Sequence, residues 1–77
     1  MKNIYGKNPV IEALKAGRPI NRIFVNKDAS QASVREIIGA ARDRNIPLQF
    51  VDKKKLDILA GGNRHQGVLA ESAAKEY

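Results

Sequence analysis

Ser33-Val34-Arg35-Glu36-Ile37-Ile38-Gly39-Ala40-Ala41-Arg42-Asp43-Arg44-Asn45-Ile46-Pro47-Leu48-Gln49-Phe50-Val51 holds a helix and a strand in nineteen consecutive residues. Val34, Ile37, Ile38 and Ala41 repeat at i, i+3, i+4 and i+7, which places them on one face of a helix. Arg35, Arg42 and Asp43 fall off that stripe and face water. Ser33 and Glu36 have the spacing of a capping box, so the helix starts there or one turn earlier near Ser30. Pro47 ends it. Leu48-Gln49-Phe50-Val51 then reads as a short strand, and a helix followed at once by a strand is the unit of an α/β fold.

The same alternation continues in both directions. Upstream, Ile23-Phe24-Val25 is a second apolar run. Before it, Asn8-Pro9-Val10-Ile11-Glu12-Ala13-Leu14-Lys15-Ala16-Gly17 reads as a helix with Asn8 as N-cap, Pro9 at the first helical position and Gly17 as the stop. Ile4-Tyr5 adds an edge strand or packs the N-terminus. Downstream, Asp52 caps a short helix through Ala60, which Gly61-Gly62 ends, and Val68-Leu69-Ala70 forms a last strand. The strands lack polar alternation, as strands covered on both faces do. The expected architecture is a three-layer α/β/α sandwich with a small, mostly parallel sheet. Glu71 to Tyr77 lose the apolar pattern and read as a tail or the beginning of a linker.

Seventy-seven residues suffice for one domain with a modest core. No cysteine is present, which excludes disulfides and cysteine-based zinc modules and agrees with a cytoplasmic protein. Met1-Lys2-Asn3-Ile4-Tyr5-Gly6 is not a secretory signal, and no run is long enough to span a membrane. Fourteen Lys and Arg against eight Asp and Glu leave a net charge of +6, which favours a polyanion such as nucleic acid as partner. Two Phe, two Tyr and no Trp supply little for base stacking.

Catalytic chemistry finds little support. One histidine, no cysteine and scattered carboxylates give no nucleophile–base set, and no phosphate loop, dinucleotide fingerprint or metal-binding histidine pair occurs. Two stretches stand out instead. At Gly6-Lys7-Asn8-Pro9 a helix N-terminus offers free N–H groups and Lys7 adds a mobile cation, which suits a phosphate; an ordinary turn and cap explains the same residues. In Gly62-Asn63-Arg64-His65-Gln66-Gly67-Val68 the glycines serve the backbone, whereas Arg64, His65 and Gln66 exceed what a turn needs. The other cations, Arg18, Arg22, Lys27, Arg42, Arg44, Lys53, Lys54 and Lys55, read mainly as solvated surface; gathered on one face they would supply salt-dependent affinity.

Gly6-Lys7-Asn8-Pro9-Val10-Ile11-Glu12-Ala13-Leu14, followed at this distance by His65-Gln66-Gly67-Val68, resembles the N-terminal substrate-binding domain of the SpoU/TrmH family of RNA ribose 2′-O-methyltransferases. The resemblance implies an L30e-like α/β/α sandwich over residues 1–71 and a linker from 72–77 to a catalytic domain outside this chain. It implies a guanosine of 23S ribosomal RNA as substrate, with Gly6, Lys7, Asn8, Arg64, His65, Gln66 and Gly67 as RNA-contacting residues. L30e-like RNA binders carry a Gly-x-Asn-Glu motif; Gly6 and Asn8 match it, and Pro9 replaces the acid. It further implies S-adenosylmethionine for the catalytic domain and none for this domain, which alone is not an enzyme. The parent would be a homodimer and the isolated domain a monomer. The competing reading is a protein-interaction or dimer-assembly domain whose positive charge is incidental.

Overall fold

The computed structural model describes residues 3–29 and 31–72. The chain runs β1 (Asn3–Tyr5), α1 (Lys7–Lys15), β2 (Ile20–Asn26), α2 (Gln31–Asp43), β3 (Leu48–Val51), α3 (Lys53–Ala60) and β4 (Val68–Ser72). The sheet order is β1-β4-β2-β3. One face of the sheet, through Ile23, Val25, Val68 and Ala70, packs against Val10, Ala13 and Leu14 of α1 and Val34, Ile37 and Ala41 of α2. The other face, through Phe24, Val51 and Leu69, meets Leu56 and Ala60 of α3. This is the expected α/β/α layering, with a larger core on the two-helix side.

The sheet is mixed rather than mostly parallel. Only β2 and β3 run parallel; β4 is antiparallel to both β1 and β2. The cause lies in residues 61–67. After α3 the chain doubles back along that helix and reaches the sheet beside the C-terminal end of β2, where Val68 pairs with Val25 and the Asn26 N–H donates to the Gly67 carbonyl. From that end β4 can only run antiparallel to β2. Its apolar run cannot reveal this, because strands covered on both faces look alike in either direction. β4 also continues through Glu71 and Ser72. Glu71 stays in the ladder while its carboxylate takes Arg22 at 3.2 Å and the Asn21 amide at 3.0 Å. Residues 73–77 of the expected linker lie outside the described residues.

Helix boundaries differ in instructive ways. α1 begins at Lys7 with Gly6 as N-cap, not Asn8. Gly6 holds φ 97°, a backbone that glycine adopts readily, and its N–H donates to the Val68 carbonyl, so β4 fixes where the helix starts. Pro9 lies in the first turn, where its missing N–H is no loss. Gly17 ends α1 as expected, with Arg18 N–H donating back to Ala13. α2 begins at Gln31, ahead of Ser33; Ser30, the other start considered, and the Ser33 side chain lie outside the described residues. It closes on Asn45 at φ 56°, with Ile46 N–H donating to Ala41, before Pro47 is reached. Asp52 occupies the N-cap of α3 but makes no side-chain cap bond. Its carboxylate turns to Lys27 at 2.8 Å. β3 is an edge strand and is not covered on both faces: Gln49 and Phe50 are exposed.

Candidate nucleic-acid interface

The fold brings the two polar stretches of the sequence together. Between His65 and Val68 the chain makes a tight turn, with Val68 N–H donating to the His65 carbonyl at 2.9 Å. Its central residues, Gln66 at φ 51° and Gly67 at φ 81°, are both left-handed, as a type I′ turn demands. Glycine fits that region without strain, whereas glutamine pays roughly 1 kcal/mol there. The side chain shows why glutamine stands at this position: its Oε1 accepts the Lys7 N–H, the first free donor of α1, at 3.3 Å. Asn8 keeps the remaining N–H of that turn without a partner among the described residues. Gln66 is therefore a cap supplied to α1 from a distant loop.

His65 organises the loop from beneath. It is the one charged or polar residue among those described that is buried, at 8% exposure. Nδ1 accepts the Gly67 N–H at 2.9 Å, which requires that nitrogen to carry no proton. The proton then sits on Nε2, which donates to Asp57 Oδ1 on α3 at 2.6 Å. Both ring nitrogens are thus engaged inside the protein, one by the turn and one by the helix. A ring held this way positions its neighbours and offers no free base.

Around this latch lies an open cleft of about 740 Å³. Lys7, Arg64, His65, Gln66 and Gly67 line it, and Gly6 abuts the Gln66 amide. Asn8 is exposed but does not line it. Sequence reasoning missed Asn26, Asn63 and Asp57, and left Lys53 among surface cations, although all four are lining residues. Nothing in the spacing from Asp57 to His65 signals their pairing, because the loop between them sets it.

The first turns of all three helices border the cleft: Lys7 opens α1, Val34 lies in the first turn of α2, and Lys53 opens α3. None carries an acidic residue in its first turn. Each N-terminus presents roughly half a positive charge, so the three dipoles add to the cations at one place. Lys7, Lys53 and Arg64 make no ion pair among the described residues, whereas Arg22 is tied to Glu71 and Lys27 to Asp52. Arg44 is structural: its guanidinium donates to the Leu14 and Arg18 carbonyls at the end of α1, at 3.3 and 2.6 Å.

The chemistry of the cleft is that of an anion and hydrogen-bond surface. Cations and side-chain amides from Asn26, Asn63 and Gln66 face it, and no Phe, Tyr or Trp lines it. Among the described residues no three His, Asp or Glu side chains gather to hold a metal. No helix among the described residues is long and apolar enough to cross a membrane.

Residues 3–77 match the family described as RNA 2′-O ribose methyltransferase substrate binding. A Bacillus subtilis protein named for the TrmH family of tRNA/rRNA methyltransferases is 38% identical over 74 residues, which is 96% of this chain and 29% of that protein. A Staphylococcus aureus protein named for the same family is 42% identical over the same proportions. The chain therefore spans under a third of the length of the curated relatives it matches. In fold it is similar to the structure of a Bacillus halodurans protein of unknown function, with a TM-score of 0.75 over 94% of this chain and 72% of that one, at 18% identity.

Proposed function

Because the chain belongs to the SpoU/TrmH-type RNA 2′-O ribose methyltransferase substrate-binding domains, we propose that the cleft framed by Lys7, Lys53 and Arg64 is where it grips RNA. The observation that carries this reading is the convergence of the first turns of three helices, none of which holds an acidic residue, on the loop that the sequence singled out. Lys53-Lys54-Lys55 in the first turn of α3 oppose that helix's own dipole, at a cost of a few tenths of a kcal/mol each. A local choice that works against the fold makes sense where an external anion neutralises it.

The roles divide by chemistry. Lys7, Lys53 and Arg64 meet phosphates, and the Asn8 N–H adds a backbone donor at the α1 terminus. Asn26 through its Nδ2 and Asn63 through its Oδ1 reach unpaired base edges, since Asn26 Oδ1 already accepts the Asp28 N–H and Asn63 Nδ2 donates to the Ala60 carbonyl. Gly6, His65, Gln66 and Gly67 hold the loop in register. In the parent protein this domain presents ribosomal RNA, a 23S guanosine by the family likeness, to a catalytic domain in cis that uses S-adenosylmethionine. The parent works as a cytoplasmic homodimer, while this domain alone is monomeric and transfers nothing.

Salt dependence tests the contact. Lys7→Ala, Lys53→Ala and Arg64→Ala are each expected to flatten the slope of log K against log salt by about 0.7 to 0.9 for a 23S fragment. Lys15→Ala is the control, since Lys15 pairs with Glu36 at the far end of α1 and its loss is expected to leave the slope unchanged. Unchanged slopes in all three cleft variants would contradict the assignment.

A further inference from the structure

A second surface, which shares no lining residue with the cleft, lies along the β3 edge of the sheet. Among the described residues β3 pairs only with β2, which leaves its outer edge open. Pro47 and Val51 direct their carbonyls to β2, where they accept from Ile23 and Lys27. By alternation, Leu48 and Phe50 turn their N–H and C=O groups outward. The strand is short, but Leu48 to Val51 hold no charge, no proline and no bulge to discourage pairing.

Beside this edge runs a groove lined by Ile38, Ala41 and Arg42 of α2 and by Ile46, Leu48 and Phe50. Phe50 is 54% exposed, although phenylalanine gains most from burial. No carboxylate lines the groove. Arg42 stands in its wall, and Arg35 occupies the same stripe of α2 two turns earlier. Glu36, on the other flank of α2, pairs with Lys15 of α1. The flank towards β3 is thus basic and apolar, and neither arginine has an ion-pair partner among the described residues.

We propose that this groove docks an extended acidic peptide segment of a partner protein, which adds to the sheet alongside β3. Backbone groups of the peptide would satisfy Leu48 and Phe50, an apolar side chain would cover Phe50 and Ile38, and its carboxylates would meet Arg42. A strand beside an edge and a helix needs these three elements, and the groove holds all of them. A second copy of the chain fits less well, because it would bring another Arg42 and another +6 to the same face.

The test uses labelled chain and short peptides that alternate glutamate with valine, isoleucine, leucine or phenylalanine, at low salt. Peptides with lysine in place of glutamate are the control. At least one acidic peptide is expected to shift the Leu48 and Phe50 amide signals and protect them from hydrogen exchange. Arg42→Gln and Phe50→Asp, both changes at exposed positions, are each expected to weaken that binding about tenfold. The proposal is overturned if no acidic peptide perturbs these amides, or if the lysine series binds equally. Shifts confined to Lys7, Arg64 and Gln66 would overturn it too, and protection of β3 that grows with chain concentration would assign the edge to a second copy.

Discussion

Gln66 and His65 carry opposite lessons about what one side chain does. Gln66 spends backbone strain to cap α1, so its two simplest replacements separate the effects. Gln66→Gly loses the cap but relieves the left-handed backbone, and is expected to be nearly neutral. Gln66→Ala loses the cap and keeps the strain, and is expected to cost about 1 kcal/mol in urea unfolding. Equal stabilities for the two would contradict the account of the turn. For His65, nitrogen NMR of the ring is expected to show the proton on Nε2, with Nδ1 as acceptor. A proton on Nδ1 would break the bond to Gly67 and remove the latch. His65→Ala orphans the Gly67 N–H and opens a gap beside α3, for a loss of about 2 to 3 kcal/mol. The sequence singles out His65 as exceeding what a turn needs, and the fold engages both of its ring nitrogens inside the protein. Its partner, Asp57, was invisible because only the folded loop brings the two within 2.6 Å.

At the scale of elements, α3 is the part of the scaffold most easily loosened. It rests on the smaller core through Leu56 and Ala60, yet it supplies both Lys53 and Asp57 to the cleft. Leu56→Ala is expected to cost about 2 to 5 kcal/mol and to raise amide exchange in α3 and residues 61–67 before α2. Uniform exchange across all three helices would show that α3 is not a separate unit. The junction of β2, β3 and α3 also carries an alkaline signature. The hydrogen bond from Lys27 to Asp52, and then the charge of Asp52, raise the Lys27 ammonium above its ordinary 10.5. The folded value exceeds the unfolded one, so this small surface contribution is intact below pH 10.5 and fades as the pH climbs through the folded value. In Asp52→Asn, a side-chain NMR titration is expected to place Lys27 lower than in the parent chain. Helix positions were legible because α2 follows a strict apolar period and α1 and α3 end at glycines. Helix starts were less so: Gly6 takes the cap from Asn8 because β4 holds its N–H, a tertiary bond that no local pattern announces.

For the whole molecule, the alternation of helices and strands revealed the three layers, and the charge balance pointed to a polyanion. Strand direction escaped, because the return of residues 61–67 along α3 decides it and an apolar run has no arrow. That same return places the loop against α1 and gathers the first turns of α1, α2 and α3 around one cleft, so the detail that reverses β4 also builds the site. Net charge alone could not say where the anion sits, since Arg22, Lys27 and Arg44 are used inside the fold. The most direct measurement is a residue-by-residue amide shift map of the labelled chain titrated with a 23S ribosomal RNA fragment at low salt. The account predicts the largest shifts at Lys7, Asn8, Lys53 and Arg64 to Gly67, fading as salt rises. Shifts absent from these residues, or concentrated along β3 and the Arg42 flank of α2, would contradict it.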